Sequence, residues 1–489
     1  ISQFKIMSWD VEADSSHLDF PKPIKEYIKQ ASEIADYYLS KSLDKIIVTQ
    51  FDISNILKKM FSLNIDNLTD IELHNIKFIN TIYFKDSFNI HKNDRLIDKI
   101  EKLSIAIFKI CEKYKPNNSH IIDIFNTNNI NDNSDEEEED DIKTSRENII
   151  YKVNNLIIKR FGKHVQGDRI IQIGVVFQNY GSNIPYNNII LTLGSCDSFD
   201  EKCIIIDTQN KKPKEIINES LRYDENFIKI ISFHDINNTD YNDYTYDTLN
   251  QLEINLILSF KELILQYNPD IILAYNNFGF DNPFIMNRCK ELNIEDSFSK
   301  ISRLSSHQAV LYEKKLKSSA LGDNVLQLID IKGRVEVDLM KYVQREFQLE
   351  SYSLNAVAEH FMKENKDDIK PQQIFAFQKI DAYHRSLVAK YCVQDCVLLL
   401  NLLTKLSVIS NNIGMANICY VPISFIFLRG QGIKIQSLIG KYCMELNILL
   451  KTFDEHHEWE TTNRKNPKWD EVRDLAEELI IEYYNPPTV

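Results

Sequence analysis

Asp10 and Glu12 stand two residues apart at the end of Phe4-Lys5-Ile6-Met7-Ser8-Trp9, an alternating stretch that reads as a strand. Positions i and i+2 of a strand share a face, so the two carboxylates project side by side. Like charges held together repel unless a cation lies between them. Taken alone, the pair is also ordinary chemistry for a strand edge. A second acid, Asp281, ends the stretch Tyr275-Asn276-Asn277-Phe278-Gly279-Phe280-Asp281, where an apolar strand meets a turn and then a helix. Its alternative is a helix N-cap, with Pro283 in the first turn, and the alternative for Phe280 is a core aromatic. Tyr391 and Asp395 lie four apart in a helical pattern from Ala382 to Leu406, and so one turn apart on one face. An aspartate bordered by Val393, Val397 and Leu398 is costly unless something binds it, a solvated polar face being the bland reading. Together these residues give four carboxylates and a phenol. Such a set can hold two divalent ions about 4 Å apart, the arrangement for in-line attack of water on a phosphodiester. Oxygen-only ligands favour Mg²⁺ or Mn²⁺ over zinc, and Tyr391 is placed to orient the water.

The elements that must position these groups are legible around them. Strands are expected at 170–177, 188–193, 204–206 and 227–232, a helix over 253–266, a buried strand at 271–275, a helix over 282–292 and a strand at 335–339. Strands followed by strand–helix alternation predict an α/β fold, a mixed sheet flanked by helices. Between Phe20 and Lys163 the texture changes to Asn, Ile, Lys and Asp. There Ile24, Tyr27, Ile28, Ala31, Ile34, Ala35 and Tyr38 form a helical stripe, so residues 15–164 are expected to form a helical insertion. Its polar stretch 117–147 is centred on the acidic run Asp135–Asp141 and is expected to be a disordered loop.

The chain has 489 residues, 43% hydrophobic and 26% charged, which excludes wholesale disorder, a collagen-like chain and a disulfide-stapled miniprotein. The net charge of −14, half of it in that acidic run, excludes nonspecific coating of duplex DNA but not capture of a strand end. Eight cysteines without a Cys-x-x-Cys framework read as reduced thiols. No uninterrupted apolar run reaches about eighteen residues.

Asp-x-Glu, Tyr-Asn-x-x-x-Phe-Asp and Tyr-x-x-x-Asp resemble the three exonuclease motifs of family B DNA polymerases, whose proofreading domains have the ribonuclease H-like fold. Asn268-Pro269-Asp270-Ile271-Ile272 also runs into the second motif as in that family. Gly333-Arg334-x-x-x-Asp338-Leu339, Leu349-x-Ser351-Tyr352-x-Leu354-Asn355-x-Val357-Ala358, and Met415-Ala416 with Val421-Pro422 and Arg429-Gly430-Gln431-x-Ile433-Lys434 are similar to the delta-type branch. The resemblance covers 1–14 and about 167–450, and the insertion and composition look like polymerases of giant DNA viruses of the mimivirus kind. It implies metal binding by Asp10, Glu12, Asp281 and Asp395, water positioning by Tyr391, and Asn276 and Phe280 holding a single-stranded DNA primer end. Asp338 has two readings, a carboxylate that supports the metal ligands from behind and, the preferred one, a structural partner of Arg334.

On this reading 1–14 and 165–410 are a 3′–5′ exonuclease domain, 411–450 leads toward a palm domain, and 451–489 is an unrecognised tail, with a helical C-terminal extension overall. His456 and His457 read as a solvated helix start. The family's palm motifs do not occur in this sequence, and Ile1 opens it, so it reads as a piece of a replicative polymerase. A separate palm, fingers and thumb chain and a sliding clamp are the partners implied, with no membrane, in the nucleus or a viral replication compartment. Two rivals stand beside this reading: a free-standing DNA or RNA exonuclease, and a non-catalytic scaffold on the same fold.

Overall fold

The alternating opening stretch forms β1 (Lys5–Ala13) in a computed structural model that describes residues 3–43, 46–63, 79–85, 96–114, 135–182, 184–235, 240–318, 322–363 and 369–448. Seven strands make one sheet: β1, β2 (Ile170–Asn179), β3 (Asn187–Leu193), β4 (Cys203–Ile206), β5 (Ile228–Phe233), β6 (Ile271–Ala274) and a last strand (Val335–Asp338). The order is β4-β5-β3-β2-β1-β6 and then Val335–Asp338 at the edge. β1–β2 and β2–β3 are antiparallel, while β3–β5, β4–β5, β1–β6 and β6 with Val335–Asp338 are parallel. This is the mixed sheet the strand pattern predicted. A further hairpin, β7 (Leu311–Ser318) with β8 (Gly322–Ile329), is additional, and Val335–Asp338 is therefore β9.

Both faces of the sheet are covered, which is why its inner strands are nearly continuous runs of Ile and Val. Met7, Trp9 and Val11 point to one face, into a core shared with Leu256, Phe260 and Leu263 and with Phe284 and Ile285. The aromatic stack of Trp9 on Phe260, ring centroids 5.1 Å apart, belongs to it. The even-numbered residues of β1 point the other way, where Ile6 packs in a second core with Cys392, Val393 and Leu399. Asp10 and Glu12 lie on this second face by the period of two.

A separate compact unit, residues 15–168 with 245–247, has its own core. Helices α1 (Ile28–Leu43), α2 (Gln50–Met60), α3 (Leu96–Lys113) and α4 (Asp135–Phe161) supply it. Tyr27, Ala31, Ile34, Ala35 and Tyr38 of the expected stripe are buried there, but Ile24 and Ile28 are exposed. The helix begins only at Ile28, after Pro21 and Pro23, so the stripe's first turn is absent. The acidic run is also corrected: the backbone of Asp135–Asp141 is the start of α4. Glutamate is a good helix former, and negative charge is favoured at a helix N-terminus. Residues 115–134 of the expected loop, and the tail with His456 and His457, lie outside the described residues.

Among the described residues the remaining helices, in the first unit but for the first two residues of α6, are α5 (Pro213–Ser220), α6 (Tyr246–Tyr267), α7 (Asp281–Glu291), α8 (Leu339–Glu346), α9 (Leu354–Met362), α10 (Pro371–Ile380), α11 (Ala382–Lys405), α12 (Val408–Cys419), α13 (Ile423–Leu428) and α14 (Gln431–Glu445), with one turn at Glu295–Phe298. Among the described residues α11 is the one helix long and apolar enough to cross a membrane. Its Ala389, Cys392, Val393, Cys396 and Leu399 are instead buried in the core of the second sheet face. All eight cysteines are free thiols.

Candidate active site

The site is built where α11 lies on the centre of the sheet. Asp10 of β1 is registered with Gly174 of β2. A Cβ added to Gly174 would fall 2.7 Å from Cys392 Sγ, 3.2 Å from the Cys392 carbonyl oxygen and 3.2 Å from Cys396 Sγ. Only a strand residue without a side chain lets the helix come this near. An isolated glycine inside Ile170–Phe177 carried that signal, because glycine in a strand marks close backbone approach. Ligating atoms of Asp10, Glu12 and Cys392 consequently lie within 4.8 Å of one another. Cys392 Sγ is 3.8 Å from Asp10 Oδ2 and 3.8 Å from the Asp10 carbonyl oxygen. Cys392 was not singled out in the sequence, where it sits beside Tyr391 as one more apolar residue.

Asp281 comes to the same place from α7. It is not the helix cap, a position held by Phe280. It is 3% exposed, its carboxylate accepts the Val11 N–H, and its Oδ1 is buried with no hydrogen-bond partner among the described residues. Burial, and next the charge of Asp10, push this carboxyl well above its ordinary range. An acid that resists ionising beside another acid is what a cation site looks like before a cation neutralises it.

Asp395 is buried, at 6% exposure, and Tyr391 is half-buried. Both stand on α11, Tyr391 one position before Cys392 and Asp395 three after it. Residues three apart on a helix are neighbours, so Asp395 shares a face with the thiol that touches Asp10.

The turn before α7 carries Asn276 and Phe280. Asn276 is left-handed, with φ +61°, and its carbonyl oxygen accepts the N–H of Gly279 at 2.9 Å and of Phe280 at 3.0 Å. A Cβ on Gly279 would meet Asn276 Oδ1 at 2.6 Å. Phe280 is half-buried and packs on Phe284 with ring centroids 5.2 Å apart, so the core reading holds for part of this ring. The hairpin braces the turn from behind. Gln327 N–H donates to the Phe278 carbonyl at 3.0 Å, and Phe278 packs with Leu326 and Leu328.

Asp338 has a different task from the expected one. Its carboxylate accepts the N–H groups of Asn276 (2.9 Å) and Phe278 (3.3 Å), and it caps α8 through Met340 (3.0 Å) and Lys341 (3.3 Å). Arg334 donates instead to the Ile301 and Pro269 carbonyls and to Asn268 Oδ1, tying down the loop before β6. A capping aspartate with four N–H donors has no need of a guanidinium. Burial still pushes Asp338 up to about 6.

Two residues earlier on β9, Glu336 is buried and accepts from Asn282 Nδ2 at 3.2 Å, and burial pushes its carboxyl up to about 8. The folded chain thus keeps a proton that the unfolded chain releases near 4.5. The unfolded state binds fewer protons between those values, so this group makes stability fall as pH rises from about 4.5 to about 8. Glu336→Gln keeps the acceptor without the charge. It is expected to raise the melting temperature above about pH 8 and to change it little near pH 5, in thermal scans across that range.

Residues 158–357 match the family model described as DNA polymerase family B, exonuclease domain. The chain carries a family B DNA polymerase exonuclease domain. Its fold is the ribonuclease H-like α/β fold expected of that family. The matched segment includes Asn276, Phe280 and Asp281, whereas Asp10, Glu12, Tyr391 and Asp395 lie outside it. The DNA polymerase of Pyramimonas orientalis virus is 32% identical over 94% of this chain and 38% of its own length. That of Phaeocystis pouchetii virus is 25% identical over 93% of this chain and 50% of its own length. The DNA polymerase delta catalytic subunit of Candida albicans is 35% identical over 43% of this chain and 20% of its own length. The chain therefore spans from a fifth to half of these relatives. The viral similarity extends over nearly the whole chain, whereas the delta-subunit similarity is confined to 213 aligned residues.

Proposed function

We propose that this exonuclease domain removes nucleotides from DNA 3′ ends as the proofreading part of a replicative polymerase, by metal-dependent hydrolysis. The observation that carries the proposal is the approach of Asp281, inside the matched exonuclease segment, to Asp10, 271 positions earlier in sequence. The donor set fits divalent cations: Asp10 and Glu12 lie close together, and Asp281 Oδ1 is buried without a hydrogen-bond partner among the described residues. Asp10, Glu12, Asp281 and Asp395 would hold Mg²⁺ or Mn²⁺, since carboxylate oxygens suit hard ions. When bound, such ions lower the pKa of water and stabilise the departing oxygen.

The chain's own side chains do the rest. The Tyr391 phenol holds the attacking water by a hydrogen bond, on the helix face of Asp395. The Asn276 amide binds the sugar or phosphate of the terminal nucleotide. The open side of the Phe280 ring stacks on its base, which favours a single strand and tolerates any base. Folding the 276–280 turn onto Asp338 and the hairpin fixes these two groups in advance, so less entropy is lost when the strand binds. The partner is thus a frayed single-stranded 3′ end, presented in the full enzyme by its polymerase regions and its sliding clamp.

Purified chain is expected to shorten 5′-labelled single-stranded DNA from its 3′ end with Mg²⁺ or Mn²⁺ and to stop on addition of a chelator. Shortening of a 3′-blocked strand at the same rate would reject the direction, and shortening without divalent ions would reject the chemistry. Tyr391→Phe keeps every carboxylate and loses only the hydroxyl. Its rate is expected to fall by roughly 10²-fold, the scale of a positioned proton-handling group, with the Mg²⁺ dependence unchanged.

A further inference from the structure

Cys392 has no part in the hydrolysis as described, yet its thiol stands among the acids. Its Sγ is 3.8 Å from Asp10 Oδ2, and its distance to the ligating oxygens of Asp10 and Glu12 is within 4.8 Å. The thiol is held in that position because α11 rests on Gly174, whose missing Cβ leaves the sulfur its space. An independent feature points the same way: Asp281, 3% exposed and beside Asp10, keeps a buried carboxylate oxygen without a hydrogen-bond partner among the described residues.

Mg²⁺ and Mn²⁺ use oxygen and leave a thiol aside, whereas Zn²⁺ and Cd²⁺ prefer sulfur and accept carboxylates as further ligands. The geometry points to a thiophilic-cation site in which Cys392, Asp10 and Glu12, with Asp281 as fourth donor, capture an ion of the Zn²⁺ class and halt hydrolysis. The inference rests on these acids being the hydrolytic site. As the metal–sulfur bond forms, the S–H bond breaks and its proton passes to water, with no oxidant or reductant involved. Four protein donors close a tetrahedral zinc site and leave no position for an attacking water. The exonuclease is therefore inhibited by Zn²⁺ at concentrations well below those of the Mg²⁺ that supports it.

The test is a Cd²⁺ titration of the full chain, followed by the ultraviolet charge-transfer band of the cadmium–thiolate bond, with Zn²⁺ inhibition measured in parallel. The wild type and Cys443→Ser, which alters a thiol remote from this cluster in sequence, are expected to show a band that saturates at one equivalent. Cys392→Ser is expected to lose that band and to lose sensitivity to Zn²⁺. An undiminished band in Cys392→Ser, or no band in the wild type, would overturn the inference. If Cys392→Ser does not fold, Glu12→Gln keeps the thiol and removes one donor charge, and unchanged Cd²⁺ affinity in that variant would overturn it equally. Hydrolysis with Mg²⁺ that is indifferent to Zn²⁺ would leave the hydrolytic reading intact and remove only this site. A Cys392-dependent band in a chain without Mg²⁺-dependent hydrolysis would do the reverse.

Discussion

Asp10→Ala combined with Glu12→Ala is expected to reduce DNA hydrolysis by about 10³-fold or more while leaving the fold intact. Metal ions supply several kcal/mol of transition-state stabilisation, and each 1.4 kcal/mol is a factor of about ten in rate. Both acids project from one end of β1, so the double change strips one side of the cation site at once. Stability should hold or rise slightly in metal-free buffer, because Asp281 is then relieved of the Asp10 charge that disfavours its ionisation. The check is a single-turnover rate beside a denaturation midpoint for both proteins. Retained hydrolysis with normal folding would move the active site elsewhere. A collapsed midpoint would mean that the acids hold the strand end rather than a cation.

The largest expected effect on stability lies away from the acids, at Arg288. This residue of α7 is 1% exposed and donates through Nε and Nη2 to Glu253 of α6 at 2.9 and 2.7 Å. Glu253 also accepts the Ile170 N–H at 2.9 Å, at the start of β2, and is wholly buried. One ion pair therefore ties together the helix that carries Asp281, the long helix behind the sheet and the strand beside β1. Arg288→Met takes the hydrogen-bonded cation from a buried carboxylate and leaves Arg169, with its Nε 3.9 Å away, as the ion-pair partner, a change that costs about 3 kcal/mol or more. Adding Glu253→Gln removes the under-compensated charge and keeps the acceptor for Ile170, so the double variant should recover part of that loss. Urea denaturation of the two single variants and the double variant gives the coupling. Additive losses would show that the pair is not the unit of stabilisation.

This network leaves no signal in the sequence. Periodicity placed β1, β2, β3 and α11 because their packing is local in pattern: alternation for a strand, a repeat of three and four for a helix. It also drew attention to Asp10, Glu12, Asp281, Tyr391 and Asp395, whose types and spacings are unusual for apolar elements. Arg288 and Glu253 offered no such cue. A charged residue in a helical stretch reads as solvent-facing, and only tertiary packing turns the two toward each other. The same holds for Asp338, whose assigned partner Arg334 was four residues away in sequence. The residues it actually serves include Asn276 and Phe278, about sixty positions earlier. Gly174 was readable in principle, yet what it makes room for, the thiol of Cys392, lies more than two hundred residues further on. The start of α4 departs from expectation for an opposite reason. Composition stood for disorder there, while the helix propensity of a glutamate run and its place at an N-terminus favour a helix.

We propose that acids brought from β1, α7 and α11 form one cation site. Crystals of the chain soaked in Mn²⁺, with the anomalous signal of the metal recorded, test it most directly. Manganese peaks are expected among Asp10, Glu12, Asp281 and Asp395, and are expected to be lost in the Asp10→Ala, Glu12→Ala protein. Manganese bound only at other acidic residues, or peaks that survive that double substitution, would contradict it.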